Sequence, residues 1–292
     1  MSGRDPSRGP GHFQFEEPGP DPDPTAVVDL HNHLVPGVDD GARDLPAVLA
    51  AVERMVRVGI RKIVTTPHID ASLTLDPTAL ERRLDEVTRA WERAAEALAR
   101  AFPEVDYRRG HEVMLDVPDG DLGDARLRLA GTDYVLVEWP RMRVPPGTPP
   151  VVARLVEQGL RPVVAHPERY AGVGADLYVV DQWREAGAYL QVNYGSFVGR
   201  YGAEARTTAF RFLRRGWIDF LSSDFHGQAG MRIYKTQAWD ILRELGASEQ
   251  LELLSVTNPA RLLRNERPHA VPAVPEERAG FWSRLKELLG AH

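Results

Sequence analysis

Seven short runs of β type recur along this chain, and between most of them lies a helical pattern; no other feature limits the possible folds as strongly. The runs are AVVDLH (26–31), RKIVTTPH (61–68), VDYRRGHEV (105–113), DYVLVEW (133–139), RPVVAH (161–166), AYLQVN (188–193) and WIDFLSSD (217–224). Strands that alternate with helices imply a parallel sheet covered by those helices. Seven of them in 292 residues point to a closed or nearly closed α/β barrel.

The intervening segments carry helical signatures of their own. DLPAVLAAVERMVRVG places Leu45, Val48, Leu49, Val52, Met55 and Val56 on one stripe, with Asp44 as N-cap and Gly59 past the end. DPTALERRLDEVTRAWERAAEALAR does the same through Leu80, Leu84, Val87, Trp91 and Leu98, with Asp76 as cap and Pro77 in the first turn. Shorter helices fit 149–159, 203–216 and 234–246. Residues 1–24 are rich in Pro, Gly, Asp and Arg and lack apolar periodicity, so they read as a disordered tail. The folded unit spans 25–267. From 268 to 292 a Pro-interrupted linker leads to a short amphipathic helix carrying Phe281, Trp282, Leu285, Leu288 and Leu289.

Composition removes several classes of function. A formal net charge of -6 offers no basic field for phosphate backbones, so no nucleic-acid partner is expected. No apolar run is long enough for a transmembrane segment, and the N-terminus lacks a signal-peptide core, so the expected location is cytoplasmic. Cysteine is absent, which excludes disulfides, thiolate metal sites and a cysteine nucleophile.

Polar residues recur where the apolar runs end. His31 and His33 close the first, His68 the second, Glu112 the third, Glu138 the fourth and His166 the fifth; Asp224 and His226 follow the last. In an α/β barrel all parallel strands finish on one face, so these side chains converge. Carboxylates packed together repel one another unless cations hold them, and metal resolves that conflict. His-x-His on a strand puts two rings on one side, where both can bind one ion. Nitrogen and oxygen donors suit Mn, Fe, Zn or Mg, and shared carboxylates favour ions roughly 3.5–4 Å apart.

DLHNHLVPGVDDG, TTPH, GHEV, the Glu of VEWP, AHPERY, NYGSFVG and SSDFH, in that order, resemble the polymerase and histidinol phosphatase (PHP) superfamily. Within it they are most similar to the bacterial manganese-dependent protein-tyrosine phosphatases of capsular and exopolysaccharide synthesis, over about residues 25–265. The resemblance implies a distorted (β/α)7 TIM-like barrel with its metal site at the C-terminal face of the strands. It also implies up to three ions, Mn2+ first among them. Carried over by position, His31, His33, Glu112 and Asp224 would hold one ion, and Glu112 would bridge to a second held by Glu138 and His166. Asp40, matching the second Asp of DDG, would join His68 and His226 at the third. Arg169, in HPER, would grip phosphate, and Arg232 is the nearest candidate for a second arginine after the last histidine.

Ions held there would lower the pKa of water toward about 7, giving a nucleophile without a side-chain base. With no cysteine, phosphotyrosine hydrolysis by this chain has to be metal-based. The family implies a partner as well, the Tyr-rich tail of a bacterial tyrosine kinase. The rival reading on the same scaffold is a phosphoesterase for a small phosphomonoester such as histidinol phosphate. A non-catalytic binder of phosphorylated tails is the rival from another class. Among neighbouring residues, His111 reads as core or as a support behind the ligands, Asp29 as a strand-end cap or an acceptor that orients an imidazole, Glu168 as an ion-pair partner, and Arg141 and Arg143 as rim.

Overall fold

The computed structural model describes residues 26–274. The N-terminal tail, residues 1–24, and the amphipathic pattern around Phe281 lie outside the described residues. In chain order the elements are β1 (Val27–Asp29), α1 (Leu45–Arg57), β2 (Ile60–Thr65), β3 (His68–Asp70), α2 (Pro77–Ala101), β4 (Asp106–Arg109), β5 (Glu112–Met114) and β6 (Tyr134–Glu138). There follow α3 (Thr148–Glu157), β7 (Arg161–Ala165), α4 (Tyr178–Glu185), β8 (Tyr189–Asn193), α5 (Tyr194–Phe197) and α6 (Ala203–Arg215). β9 (Phe220–Ser222), α7 (Lys235–Glu244), α8 (Ser248–Glu252) and α9 (Asn258–Leu263) complete the order. Both expected caps form: Asp44 accepts from Ala47 N at 2.9 Å, and Asp76 from Thr78 N and Ala79 N at 3.0 and 3.1 Å.

Every strand pair is parallel, in two sheets ordered β1-β2-β4 and β3-β5-β6-β7-β8-β9. The seven expected strands thus appear as nine, because two of them break. RKIVTTPH breaks before His68 at Thr66–Pro67, where proline has no N–H to give the ladder. VDYRRGHEV breaks at Gly110, where a Cβ would sit 3.0 Å from backbone atoms of Arg128 and Leu129. The expectation of one barrel sheet is therefore met in its coarser form only, a parallel α/β fold, and no single closed sheet forms among the described residues. Backbone bonds nonetheless tie the segment after β9 to the segment after β1: Asp224 N donates to His31 O and His33 N to Phe225 O, both at 2.9 Å.

Alternate residues of one strand enter different cores, as the period of two requires. Tyr134 and Leu136 of β6, Val163 and Ala165 of β7 and Phe220 of β9 join Val28, Leu30, Val64, Leu262 and Leu263 in an inner cluster. Val135, Val137, Val164 and Leu221 face outward into the larger core with α3, α4, α6 and α7. The helix α4, with Trp183 fully buried, was not read from the sequence. Residues 268–274, expected to begin a linker, pack on the body. Val271 and Val274 are buried in the larger core, and Asn258 bonds His269 N at 2.8 Å and His269 O at 3.0 Å. No helix among the described residues is long and apolar enough to cross a membrane.

Candidate metal centre

Three strands show how the fold delivers polar groups to one end. On β6 the inner series runs Tyr134, Leu136, Glu138; on β8 it runs Tyr189, Gln191, Asn193; from β9 it runs Phe220, Ser222, Asp224. Each series is apolar at the start and polar at the finish, so one face of each strand supplies first the core and then the site. His166 breaks this alternation, because it follows the inner Ala165 directly. Its φ of 36° ends the strand and redirects the chain; Asp224 is left-handed too, at 51°.

Glu112, the first residue of β5, lies at the centre. Its Oε2 is 3.0 Å from His31 Nε2, 3.3 Å from His33 Nε2 and 3.3 Å from His68 Nδ1, while its Oε1 is 3.0 Å from His166 Nε2. Asp224 Oδ1 is 3.6 Å from both His31 Nε2 and His33 Nε2. Glu138 Oε1 lies 3.3 Å from His68 Nδ1, and its Oε2 4.0 Å from His166 Nε2. Asp40 Oδ1 is 3.4 Å from His226 Nε2 and 3.6 Å from His68 Nε2. All nine residues read as ligands from the sequence therefore meet at one place. Their donor atoms fall into four overlapping groups: His33–Asp40–His68–His226, His31–His33–Asp224, His31–Glu112–His166 and His68–Glu112–Glu138.

This donor set fits divalent cations. Glu112 Oε2 is buried and accepts no hydrogen bond among the described residues, although three imidazole nitrogens surround it. His31 Nε2 and His33 Nε2 face each other across 3.4 Å. Such a set needs positive charge at its centre, and nitrogen and oxygen donors without sulfur are those of Mn, Fe, Zn or Mg. Protonation meets the same need. Burial opposes the cation on His31, but the Glu112 and Asp224 carboxylates outweigh it and push the ring up to about 9. Burial is likewise outweighed at His33 by Asp224, Asp39 and Glu112, and its pKa rises well above the ordinary imidazole value. Despite burial, the facing imidazoles hold Glu112 and Asp224 well below the usual carboxylate range.

A supporting layer orients these groups. Asp39 is not in any donor group: its Oδ2 lies 2.8 Å from His33 Nδ1 and its Oδ1 accepts from Gly41 N at 3.0 Å. Gly41 is required, because a Cβ there would fall 2.1 Å from His33 O. On β8, Gln191 Oε1 lies 2.8 Å from His31 Nδ1, and Asn193 Nδ2 donates to Asp224 Oδ2 at 2.9 Å. Sequence reading passes over Gln191 and Asn193, although both continue the alternate positions of AYLQVN into polar residues. Asp29 acts as a cap, accepting from His31 N at 3.1 Å and Ser223 N at 3.0 Å. His111 turns to Arg126 O at 2.9 Å, and burial lowers its pKa to about 4. Glu168 is buried and accepts from Ser196 Oγ at 2.6 Å and Asn193 N at 3.0 Å. Arg169 Nη1 donates to Asp224 Oδ2 at 2.5 Å, bordering the cluster. Arg232 is exposed, after β9.

Residues 27–264 match the family model for capsular polysaccharide synthesis, CpsB/CapC. The chain belongs to this family. It is 29% identical over 253 residues to the tyrosine-protein phosphatase YwqE of Bacillus subtilis (strain 168), covering 86% of this chain and 97% of that protein. It is 25% identical over 248 residues to the tyrosine-protein phosphatase CpsB of Streptococcus pneumoniae, covering 82% and 99%. A crystal structure described as YwqE from Bacillus subtilis and CpsB from Streptococcus pneumoniae, unique metal-dependent tyrosine phosphatases, matches with a TM-score of 0.72 at 28% identity, over 86% of this chain and all of that one. The phosphotriesterase homology protein of Escherichia coli, solved with phosphate in its active site, matches at a TM-score of 0.51 and 14% identity, over 82% of this chain and 99% of that one, a likeness of fold alone.

Proposed function

We propose that this member of the CpsB/CapC family is a metal-dependent protein-tyrosine phosphatase of the cytoplasm, acting on the tail of a tyrosine kinase that controls capsule or exopolysaccharide synthesis. The observation that carries this reading is the convergence of nine nitrogen and oxygen donors around the buried Glu112 carboxylate, in a chain without cysteine. Names and sequence likeness of the tyrosine phosphatase relatives support the substrate class. His31, His33, Glu112 and Asp224 are the ligands proposed for a first ion, Glu112, Glu138 and His166 for a second, and Asp40, His68 and His226 for a third, with manganese as the metal. The strand ends and the backbone ties between the segments that follow β1 and β9 support a distorted seven-unit barrel open at this face.

Ions bound there supply Lewis-acid charge against the phosphate and a water acidic enough to attack at neutral pH. The remaining work belongs to the chain. Asp39 and Gln191 fix the rings of His33 and His31, leaving the opposite nitrogens turned inward. Arg169 brings a guanidinium whose planar fork matches phosphate oxygens, so the charge that grows during in-line attack meets fixed positive charge. Arg232 is the candidate for a second such contact. A phenolate leaves more readily than an alkoxide, so only weak acid assistance is required of the side chains.

Chelation followed by metal rescue tests the reading. The purified chain should lose hydrolysis of a phosphotyrosyl peptide after chelation, recover it with manganese, and turn over histidinol phosphate far more slowly. Activity that survives full metal removal, or a preference for histidinol phosphate, would count against it.

A further inference from the structure

The structure assigns to Tyr201 the role of positioning residue for Arg169. The inference rests on the phosphatase reading only in taking Arg169 as the group that meets phosphate. The Arg169 guanidinium carbon stands 4.2 Å from the centroid of the Tyr201 ring, a stacked cation–π contact. Of its donors, Nη1 is engaged by Asp224 Oδ2. The Tyr201 hydroxyl is 3.4 Å from Asn193 Nδ2, and the same amide donates to Asp224 Oδ2 at 2.9 Å. Tyr201, Asn193, Asp224 and Arg169 thus form a closed circuit at the edge of the metal cluster.

The turn that carries Tyr201 is built around that ring. Arg200 N donates to Gly195 O at 2.9 Å and Gly202 N to Gly199 O at 3.1 Å. Gly195, the glycine of NYGSF, leaves the room: a Cβ there would come 3.0 Å from Tyr201 Cε2. Arg200 lies farther from the same ring, at 5.8 Å, and is exposed.

A long arginine beside a buried carboxylate has a competing arrangement, in which two of its donors close on Asp224. That would spend on the protein the fork that phosphate requires. An aromatic floor fixes the guanidinium plane, so that one donor reaches Asp224 and the others stay available. Ring stacking, rather than the hydroxyl, does the positioning, and Tyr201 itself needs no contact with substrate.

The test is a cycle on the manganese-loaded full chain with Tyr201→Leu, Tyr201→Phe, Arg169→Lys and the double variant Tyr201→Leu/Arg169→Lys. The readouts are calorimetric binding of inorganic phosphate, KM and kcat on a phosphotyrosyl peptide, and metal content. Tyr201→Leu should weaken phosphate binding and raise KM by about 3- to 30-fold. Metal content should match wild type, and kcat should change much less than KM. Tyr201→Phe should restore most of the loss, and in the Arg169→Lys background Tyr201→Leu should add little. If Tyr201→Leu does not fold, Tyr201→Met takes its place in the same cycle. Wild-type phosphate binding in the ring-deleted variant, equal damage in the phenylalanine variant, full additivity with Arg169→Lys, or loss of metal in step with phosphate binding would each overturn the role. Wild-type protein that shows this phosphate-binding pattern but does not cleave the peptide would overturn the phosphatase reading alone.

Discussion

Asp39 and Asp40 are neighbours with opposite surroundings. The side chain of Asp39 is 4% exposed and that of Asp40 is 67% exposed. Burial works against the Asp39 charge, yet His33 and the N–H groups of Gly41 and His68 hold its pKa down to about 2. It is therefore an anion throughout the working pH range, accepting from His33 Nδ1 and leaving Nε2 turned toward Glu112 and Asp224. Asp39→Asn keeps the volume and removes the charge. It should lower metal affinity or turnover about 10- to 100-fold, the usual cost of losing a carboxylate behind a ligating imidazole. Titration of the metal-free variant with manganese checks this, and unchanged affinity and turnover would refute it. The choice between these two aspartates came only from likeness to a motif, because a Gly-rich loop has no period from which direction can be read. Gln191 and Asn193 were legible in principle, since strand parity projects them to the site; amides attract less notice than imidazoles.

Among the elements, β9 and its approach carry a further acid, the half-buried Asp219. Asp219 Oδ2 accepts from Leu190 N at 2.8 Å. Burial pushes its pKa up to about 7, with Leu190 N–H and Arg184 offsetting only part of the effect. In the unfolded chain the group titrates near 3.8. Between about pH 4 and pH 7 the native state therefore holds a proton that the unfolded state has released, and stability falls as pH rises through that window. Asp219→Asn keeps the acceptor and removes the titration. Melting temperatures of variant and wild type should agree near the bottom of the window and diverge above neutrality, with the variant higher; parallel profiles would show that the group does not titrate there. Helix starts were well marked in the sequence, since Asp44 and Asp76 cap through local bonds that need no tertiary partner. The two strand breaks were less so. Pro67 was visible, but the need for glycine at position 110 arises from Arg128 and Leu129, distant in the chain and close only in the fold.

At the scale of the whole molecule, the described chain closes its core with the segment that follows α9. Val271 and Val274 are buried there, and Gly216 lies where a Cβ would strike Val271 O. Removing residues 268–292 should lower the melting temperature measurably, whereas removing 275–292 keeps both valines and should cost less; equal effects of the two truncations would refute this account. The sequence by itself determined the alternation of strands and helices, the parallel sense of the sheet and the strand-end positions of eight of the nine clustered side chains, all but Asp40, because periodicity and strand-end position are local properties. Only the tertiary structure decided that the strands divide into two sheets, that Asp40 enters the cluster while Asp39 stands behind it, and that Tyr201 lies under Arg169. These depend on distances between residues far apart in the chain, which packing sets and local propensity does not.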